Sequence, residues 1–433
     1  METKLARIAE IAKAKPKERF TNLVHLVNET LLTQCHRELK SRKSTGIDNV
    51  TKEAYEVDFV DNISRLHQAL KAMSYKPQAV KRTYIPKGGS IKLRPLGIPA
   101  YEDKIVQLAL SKILTAIYEQ DFLDTSYGFR PERNCHDALR TLHNTIMSKK
   151  INWIVDADIE GFFDNVNHEW MRRALEVRIK DPQIIRLVMR ILKAGIMEQG
   201  VIKPSLMGTP QGGVISPILA NIYLHYILDL WFDRIIKRSL SGSAYMIRYA
   251  DDFICCFQYR KEAYRFLEAL EKRLAKFGLK LAAEKTRIIE FGMFAAQSRR
   301  SKGEGKPETF DFLGFTHYCG LSRNGKFRVK RRTSKQKLNG AVARIKQWLK
   351  QARYLPVRDI IKGLNLRLVG HFRYYGVTDN SPGISSFLHI VTGLLFKWLN
   401  RRSQRNSYTW ENFKKLLSVY PLQKARIYVS VTR

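Results

Sequence analysis

Two adjacent aspartates interrupt an apolar stretch that otherwise favours a buried strand. Asp251 and Asp252 lie within YMIRYADDFICC, residues 245–256. Tyrosine, isoleucine and phenylalanine suit strands, whereas a carboxylate removed from water needs a compensating partner. We therefore predict a hairpin that runs in through 246–249 and back through 253–257, with both acids at its tip. A hard divalent cation would relieve the repulsion between the two carboxylates, and Mg²⁺ is the first candidate. The alternative is an ordinary Asp-Asp turn.

A second group of acids follows the strand-like residues 151–155. Asp158 falls where this strand ends, so its carboxylate could face a metal ion held by Asp251. Phe163 lies five residues further on, in a turn that leads into a helix. Its ring could form one wall of a sugar pocket, or it could simply pack in the core.

A basic hairpin is predicted between these motifs and the N-terminus. Residues 80–86 and 91–96 read as two strands joined by a Lys-Gly-Gly turn, and they carry Lys87 and Arg94. Above a metal site, an ammonium and a guanidinium could bind a triphosphate. Taken singly, such side chains are more commonly solvated surface charges.

Two further loops contain residues that suit nucleic acid. Arg130 and Arg133 lie in the loop that opens residues 124–139, and both are candidates for contact with a template strand. Residues 208–213 are rich in glycine, which permits close approach of the backbone to a ligand. A long apolar helix is predicted to begin at Ser216, which a proline follows.

Charge and cysteine content narrow the function classes. The 433 residues include 76 Lys and Arg against 40 Asp and Glu, a net charge of +36. Such an excess points to a polyanionic partner, and nucleic acid is the usual one. An anionic membrane surface is the rival, but no apolar run approaches the ~20 residues of a span, and no signal peptide is recognisable. Five cysteines without CxxC spacing favour reduced thiols in a cytoplasm over a zinc module.

The charge is concentrated near the C-terminus. Residues 320–433 hold 25 Lys and Arg against three acids, a net charge of +22, interleaved with tryptophan, tyrosine and phenylalanine. This pattern predicts a mostly helical module with a basic surface for nucleic acid. The aromatic residues suit its core better than they suit base stacking.

Three motifs in order resemble motifs A, B and C of the reverse transcriptase palm: DIEGFF at 158–163, PQGGVISP at 210–217 and YADD at 249–252. YADD together with PQGGVISPILANIYL is similar to the bacterial group II intron-encoded class. The resemblance continues in YIPKGGSIKLRPLGIP, YGFRPERNCHDAL, FDFLGF and LVGHFRYYG. Because only Cys319 lies beyond Cys256, we expect the short form that lacks a cysteine-rich endonuclease domain.

This resemblance implies an α/β (α+β) right-hand polymerase. Its parts would be an N-terminal extension (1–40), fingers (41–150), a palm of antiparallel sheet plus helices (151–320, with a finger-like helical insertion near 170–204), and a mostly helical thumb or maturase domain (321–433).

The resemblance also implies roles for single residues. Asp158 and Asp251 would hold two Mg²⁺ ions, with Mn²⁺ as a substitute, Asp252 in the same site and the backbone carbonyl of Ile159 assisting. The nucleotide would be bound by further residues: Lys87 and Arg94 on the triphosphate, Gln211 near the nucleotide, Phe163 as a steric gate against a 2′-hydroxyl, and Lys285 as an acid for pyrophosphate departure.

The implied function is RNA-directed DNA synthesis by two-metal nucleotidyl transfer, together with help in splicing and mobility of a host group II intron. The implied partners are intron RNA, an RNA template, a DNA primer and dNTPs, in a bacterial cytoplasm and without a membrane. One alternative is a domesticated relative that serves DNA repair or phage defence. Another is a maturase that only folds RNA, against which the intact set of three aspartates argues.

Overall fold

The computed structural model describes residues 2–86, 93–209, 211–402 and 408–432. Within these ranges the chain is a mixed α/β structure with three sheets. A search of the described helices finds none that combines the length and the apolar composition of a membrane span.

The N-terminal part is mostly helical and carries one hairpin. The structure confirms the first predicted strand, residues 80–86. The described part of the second strand is Leu93–Ile98, and residues 91 and 92, where that strand was predicted to begin, lie outside the described residues. The elements are α1 (Glu2–Ala14), α2 (Glu29–Glu38), α3 (Lys52–Glu56), α4 (Phe59–Lys71), β1 (Val80–Pro86), β2 (Leu93–Ile98), α5 (Tyr101–Tyr118) and α6 (Cys135–Ser148).

The middle of the chain alternates strands and helices. The apolar helix predicted to begin at Ser216 does so, but π-helical segments at His225–Asp229 and Phe232–Ile236 interrupt it. The elements are β3 (Trp153–Asp158), α7 (His168–Glu176), α8 (Pro182–Leu192), β4 (Ile196–Glu198), β5 (Val201–Lys203), α9 (Ser216–Leu224), α10 (Lys237–Ser239), β6 (Ala244–Tyr249), β7 (Asp252–Phe257), α11 (Arg260–Lys276), β8 (Arg287–Glu290), α12 (Ala295–Ser301), β9 (Phe310–Phe312), β10 (Phe315–Leu321) and β11 (Phe327–Thr333).

The central sheet has the strand order β6-β7-β3-β8, and all of its neighbours are antiparallel. β6 and β7 form the hairpin that the sequence predicts, but the tip is shorter than predicted. Its loop is the dipeptide Ala250–Asp251, and Asp252 already pairs with Tyr249 as the first residue of β7. Ala250 has a φ of 58°, the left-handed backbone that tight two-residue hairpin loops require.

Two smaller sheets flank the central one. β1 pairs antiparallel with β2 and parallel with β4, which gives the order β2-β1-β4-β5. The third sheet, β11-β10-β9, is antiparallel throughout. The C-terminal helices follow it: α13 (Lys335–Ala352), α14 (Val357–Tyr375), α15 (Ser381–Leu399) and α16 (Trp410–Val419).

The buried apolar side chains form three cores. The first extends from Ala12 to Leu279, so the predicted N-terminal extension, fingers and palm share one core. The second packs on the other face of the central sheet, and the third lies within α13 to α16. The third core lies within the residues predicted as the thumb or maturase domain, and the predicted boundaries at residues 40 and 150 fall inside the range of the first core. The domain boundaries stay predictions.

The segment after α16 returns from the C-terminal helices to the second core. The backbone amides of Tyr428 and Val429 donate to the carbonyl of Gly376, at 2.7 and 3.1 Å. Val431 is completely buried and belongs to the second core, whereas Ile427 on the same segment is 44% exposed. This tail therefore fastens the C-terminal module to the central sheet.

Replacing Val431 by alanine should lower the free energy of unfolding by about 2 kcal/mol, since two buried methyl groups are lost and a small cavity remains. The larger truncation Ile427→Ala should change stability by less than about 0.5 kcal/mol, because that side chain is already 44% exposed to solvent. Denaturant titration of both variants tests this. Equal effects at the two positions would contradict a buried anchor at Val431.

Candidate active site

The predicted carboxylates converge at one end of the central sheet. β3 ends at Asp158, which lies directly opposite Asp252 in the β3–β7 register. Paired residues on neighbouring strands project from the same face. Asp156, two residues earlier on β3, shares that face, and Asp251 occupies the adjoining hairpin loop. Strand pairing thus gathers acids that are about ninety positions apart in sequence.

The site gathers acidic side chains that are only partly exposed to solvent. Burial raises the pKa of Asp252 to about 8, and the charges of Asp156, Asp251 and Asp158 add to this rise. Burial also raises the pKa of Asp251; the charge of Asp158 acts in the same direction, whereas Arg94 opposes it. Acids whose pKa is raised by neighbouring acids in this way need a cation to be ionised together with them.

Lys285 already supplies one positive charge. It lies in a turn, as predicted, and its Nζ donates to Oδ2 of Asp158. The predicted proton donor therefore contacts a predicted metal ligand directly. Beside this pair, Arg287 lies 3.5 Å from the carboxylate of Asp156.

Whether a divalent ion fits can be judged from these donors. Among the described residues, no group of three or more His, Cys, Asp or Glu side chains is close enough to form a metal site. The donor type nevertheless suits a hard cation, because carboxylate oxygens are the ligands that Mg²⁺ prefers. The raised pKa values of Asp251 and Asp252 indicate a shortage of positive charge that such an ion would fill. Full convergence would require Asp158 to exchange Lys285 for the ion.

The backbone near Ile159 is held on both sides. The carbonyl of Asp158 accepts from the amide of Ala282 at 2.8 Å, and the amide of Glu160 donates to Lys280 at 2.9 Å. Ile159 itself is buried. Its peptide is therefore held next to Asp158, and its role as a carbonyl ligand stays a prediction.

The basic hairpin and the glycine-rich loop meet. Arg94 is exposed on β2, within electrostatic range of Asp251. Lys87 lies outside the described residues. The amide of Gly97, on the same strand as Arg94, donates to the carbonyl of Gln211 at 2.5 Å. The predicted triphosphate and nucleotide residues Arg94 and Gln211 are thus joined through one strand.

Phe163 lies in the predicted turn, a 3-10 helix at Phe162–Asp164 that precedes α7. Its side chain is partly buried against the first core. Its carbonyl accepts from the amide of Thr209 at 2.7 Å. A Cβ on Gly208 would stand 2.9 Å from the carbonyl oxygens of Phe163 and Asp164, so the glycine-rich loop packs directly on this turn.

The two arginines predicted to contact a template differ. Arg130 is 6% exposed, and its guanidinium donates to Glu119 and to the carbonyls of Leu123 and Ser126. A buried guanidinium whose donors are used inside the protein does not face a template, so we reassign Arg130 to support of its loop. Arg133 keeps a quarter of its side chain exposed and pairs with Asp124 at 2.6 Å, so its template contact stays a prediction.

Sequence reasoning missed one residue beneath the site. Arg248 belongs to the predicted hairpin but is fully buried on β6, where it pairs with Asp229. An arginine in an otherwise apolar strand was the available signal, because such a charge must find a partner inside the protein.

Comparisons with known proteins address the same residues. Residues 85–317 match the family described as reverse transcriptase (RNA-dependent DNA polymerase), and residues 338–417 match the group II intron maturase-specific domain. The chain is 29% identical to group II intron-encoded protein LtrA of Lactococcus lactis subsp. cremoris, over 89% of this chain and 76% of that protein. It is 36% identical to protein YkfC of Escherichia coli K12, over 55% and 63%. It also resembles nuclear intron maturase 1, mitochondrial, of Arabidopsis thaliana, at 30% over 22% and 13%.

Gly208→Ala should displace the Phe163 turn, because the new Cβ would meet two carbonyl oxygens that cannot move independently. Gly200→Ala is the matched control. Gly200 has a similar positive φ, +85° against +88°, but no neighbour within 4 Å. Both variants should lose about 1 kcal/mol of stability through the left-handed backbone. Only Gly208→Ala should lose more, and only it should disturb catalysis. Indistinguishable thermal unfolding and activity would argue against this packing.

Proposed function

The chain belongs to the reverse transcriptase family, and on this premise we propose that Asp158, Asp251 and Asp252 form its nucleotidyl-transfer centre. RNA-directed DNA polymerase activity and a role in group II intron splicing and mobility follow from the two domain matches and the similarity to LtrA. The observation that carries the residue assignment is the pairing of Asp158 with Asp252 beside the Ala250–Asp251 loop.

The reaction joins the primer 3′-hydroxyl to the α-phosphorus of an incoming dNTP and breaks the bond to pyrophosphate. The three aspartates, with the carbonyl of Ile159, would hold two divalent ions, Mg²⁺ or its substitute Mn²⁺. Bound there, such ions supply charge neutralisation and a lowered pKa for the attacking hydroxyl. Lys285 Nζ, released from Asp158, would then be free to give a proton to the leaving pyrophosphate.

The remaining nucleotide contacts come from the surrounding loops. Arg94 and Lys87 would bind the triphosphate, Arg94 with a fork of donors and Lys87 as a point charge. Gln211 would border the nucleotide, supported by its link to the hairpin strand. Phe163 would press against the sugar and exclude a 2′-hydroxyl, supported by the backbone contacts that hold its turn.

The C-terminal module would bind RNA. The maturase-specific match, residues 338–417, covers most of α13 to α16. Its surroundings, residues 320–433, carry a net charge of +22. We propose that this surface, with Arg133 as a further contact, binds intron RNA and the template–primer duplex. The five free cysteines support a reducing cytoplasm as its location.

Asp251→Asn tests the catalytic assignment. The amide keeps the shape but removes a charge that holds the metal, so primer extension on an RNA template should slow by about a thousandfold, or about 4 kcal/mol of barrier. Intron RNA binding and splicing should persist, because the +22 of residues 320–433 is unchanged. The measurements are extension with Mg²⁺ and dNTPs, and splicing of an intron transcript.

Asp61→Asn is the control for this test, since Asp61 is an exposed acid in the first turn of α4, in the N-terminal part of the chain. It should extend a primer like the parent. Normal extension by Asp251→Asn would refute the proposed centre. Loss of splicing in a folded, RNA-binding Asp251→Asn protein would refute the separation of the two activities.

Phe163→Ala tests the sugar gate. Without the ring, ribonucleotides should be admitted about 10- to 200-fold more readily, the range that steric discrimination in a pocket provides. Phe294→Ala removes an exposed ring, 59% accessible, and should leave selectivity unchanged. Single-nucleotide incorporation with dNTP and rNTP pairs measures the ratio. If dNTP extension survives and the ratio does not move, Phe163 is not the gate.

A further inference from the structure

An ion pair inside the protein lies behind the catalytic hairpin. Arg248 on β6 and Asp229 are both completely inaccessible to solvent. The guanidinium donates from Nε to Oδ1 at 2.7 Å and from Nη2 to Oδ2 at 2.5 Å. Such a two-pronged contact fixes the orientation of both groups, not only their separation. Arg248 lies two residues after Met246 on β6, so both side chains project from the same face of the strand. Met246 belongs to the first core, and Arg248 therefore supports the hairpin from the face opposite Asp252.

The same guanidinium reaches the hairpin loop. Its Nη1 donates to the carbonyl of Ala250 at 2.9 Å and to Oδ1 of Asn221 at 3.0 Å. Asn221, also completely buried, donates from Nδ2 to the carbonyl of Gly128 at 2.7 Å. A Cβ on Gly128 would stand 2.3 Å from the amide nitrogen of Ala250. Ala250, immediately before Asp251, is therefore hydrogen-bonded at its carbonyl by Arg248 and packed at its amide against Gly128.

The helix that supplies Asn221 and Asp229 is built for this contact. In an uninterrupted α-helix, residues eight apart point about 80° from each other. The π-helical segment His225–Asp229 accommodates one extra residue in a wide turn. Its insertion brings the two side chains towards one face of the helix, where both meet Arg248. The irregular turn thus has an identifiable structural consequence at the hairpin.

Stability alone does not account for the arrangement. Replacing a buried ion pair by apolar residues of similar volume is commonly neutral or stabilising, because both charges lose their water. What this pair adds is a fixed orientation of the Arg248 guanidinium. Its Nη1, which does not bind Asp229, donates to the strained loop that carries Asp251. Ala250 has a left-handed φ of 58°, which a non-glycine residue keeps only when its surroundings hold it there.

We propose that Arg248 is a positioning residue that, through Asp229 and Asn221, sets the height and direction of the Ala250–Asp251 loop so that Asp251 can share a divalent cation with Asp158. The inference rests on the proposed function and adds a specific supporting network to it. It assigns the π-helical turn and Gly128 to the same task.

A second buried ion pair provides a matched control. Arg178 is 2% exposed and pairs with Asp121 at 2.5 Å. Its other donors go to the carbonyls of Pro16 and Ala12, at the end of α1. Arg178→Lys and Arg248→Lys therefore make the same chemical change at two buried arginines, but only one of these ion pairs touches the catalytic hairpin.

The experiment compares Arg248→Lys, Asp229→Asn and Arg178→Lys with the parent chain. Mn²⁺ binding to the protein–template–primer complex is measured by electron paramagnetic resonance, and single-turnover extension is measured against Mg²⁺ concentration. The first two variants should bind Mn²⁺ about 10- to 100-fold more weakly, the usual effect of losing a group that orients a metal ligand. Their affinity for template–primer should be unchanged. Arg178→Lys should lower the melting temperature only.

The outcomes separate the alternatives. Parental Mn²⁺ affinity in folded Arg248→Lys and Asp229→Asn, or losses no larger than in Arg178→Lys, would overturn the positioning role. If Arg248→Lys does not fold, Asn221→Ala keeps the ion pair, removes the bridge to Gly128 and should still weaken Mn²⁺ binding; parental affinity there would also overturn it. Failure of the proposed function looks different, because Asp251→Asn would then extend primers like the parent.

Discussion

Mutual repulsion among carboxylates is the constraint on which the rest of the structure depends. Strand pairing brings Asp158 and Asp252 face to face, and the short hairpin loop adds Asp251. Burial then removes the water that would otherwise screen them, as the raised pKa of Asp252, about 8, reflects. Positively charged side chains from three separate elements partly offset this repulsion: Lys285 from the turn before β8, Arg94 from β2 and Arg248 from β6. A divalent ion would complete the same compensation.

Glycines in the motifs allow close contact between the backbones of neighbouring loops. These contacts bring the loops that carry the cations next to those that carry the acids. Gly128 packs on the amide of Ala250, and Gly208 packs on the carbonyls of the Phe163 turn. A Cβ on Gly212 would stand 3.0 Å from the carbonyl oxygen of Gly97 on the basic hairpin. At each of these contacts a side chain would separate two loops that must act at one point. Close approach of the backbones therefore favours glycine at each of these contacts, and at Gly208 and Gly212 the positive φ favours glycine as well.

Local patterns carried the predictions that succeeded. A β-favouring apolar run around two acids predicted the hairpin, and a proline after Ser216 predicted the start of α9. Partners distant in sequence were beyond such patterns. The direct pairing of Asp158 with Asp252 is set by strand order, and the burial of Arg130 depends on Glu119 in another element. A π-helical turn leaves no distinctive pattern in this largely apolar stretch, so the contact of Asp229 with Arg248 was not predicted.

The C-terminal module and the catalytic hairpin are linked through the second core. Ile254 lies two residues after Asp252 on β7, so both side chains project from the face that this core covers. Val431, from the tail that follows α16, is buried in the same core. Packed interiors transmit small displacements instead of absorbing them. The C-terminal tail and the strand that begins with Asp252 therefore pack in one shared core. A displacement of the tail would have to be accommodated by the side chains that pack against β7.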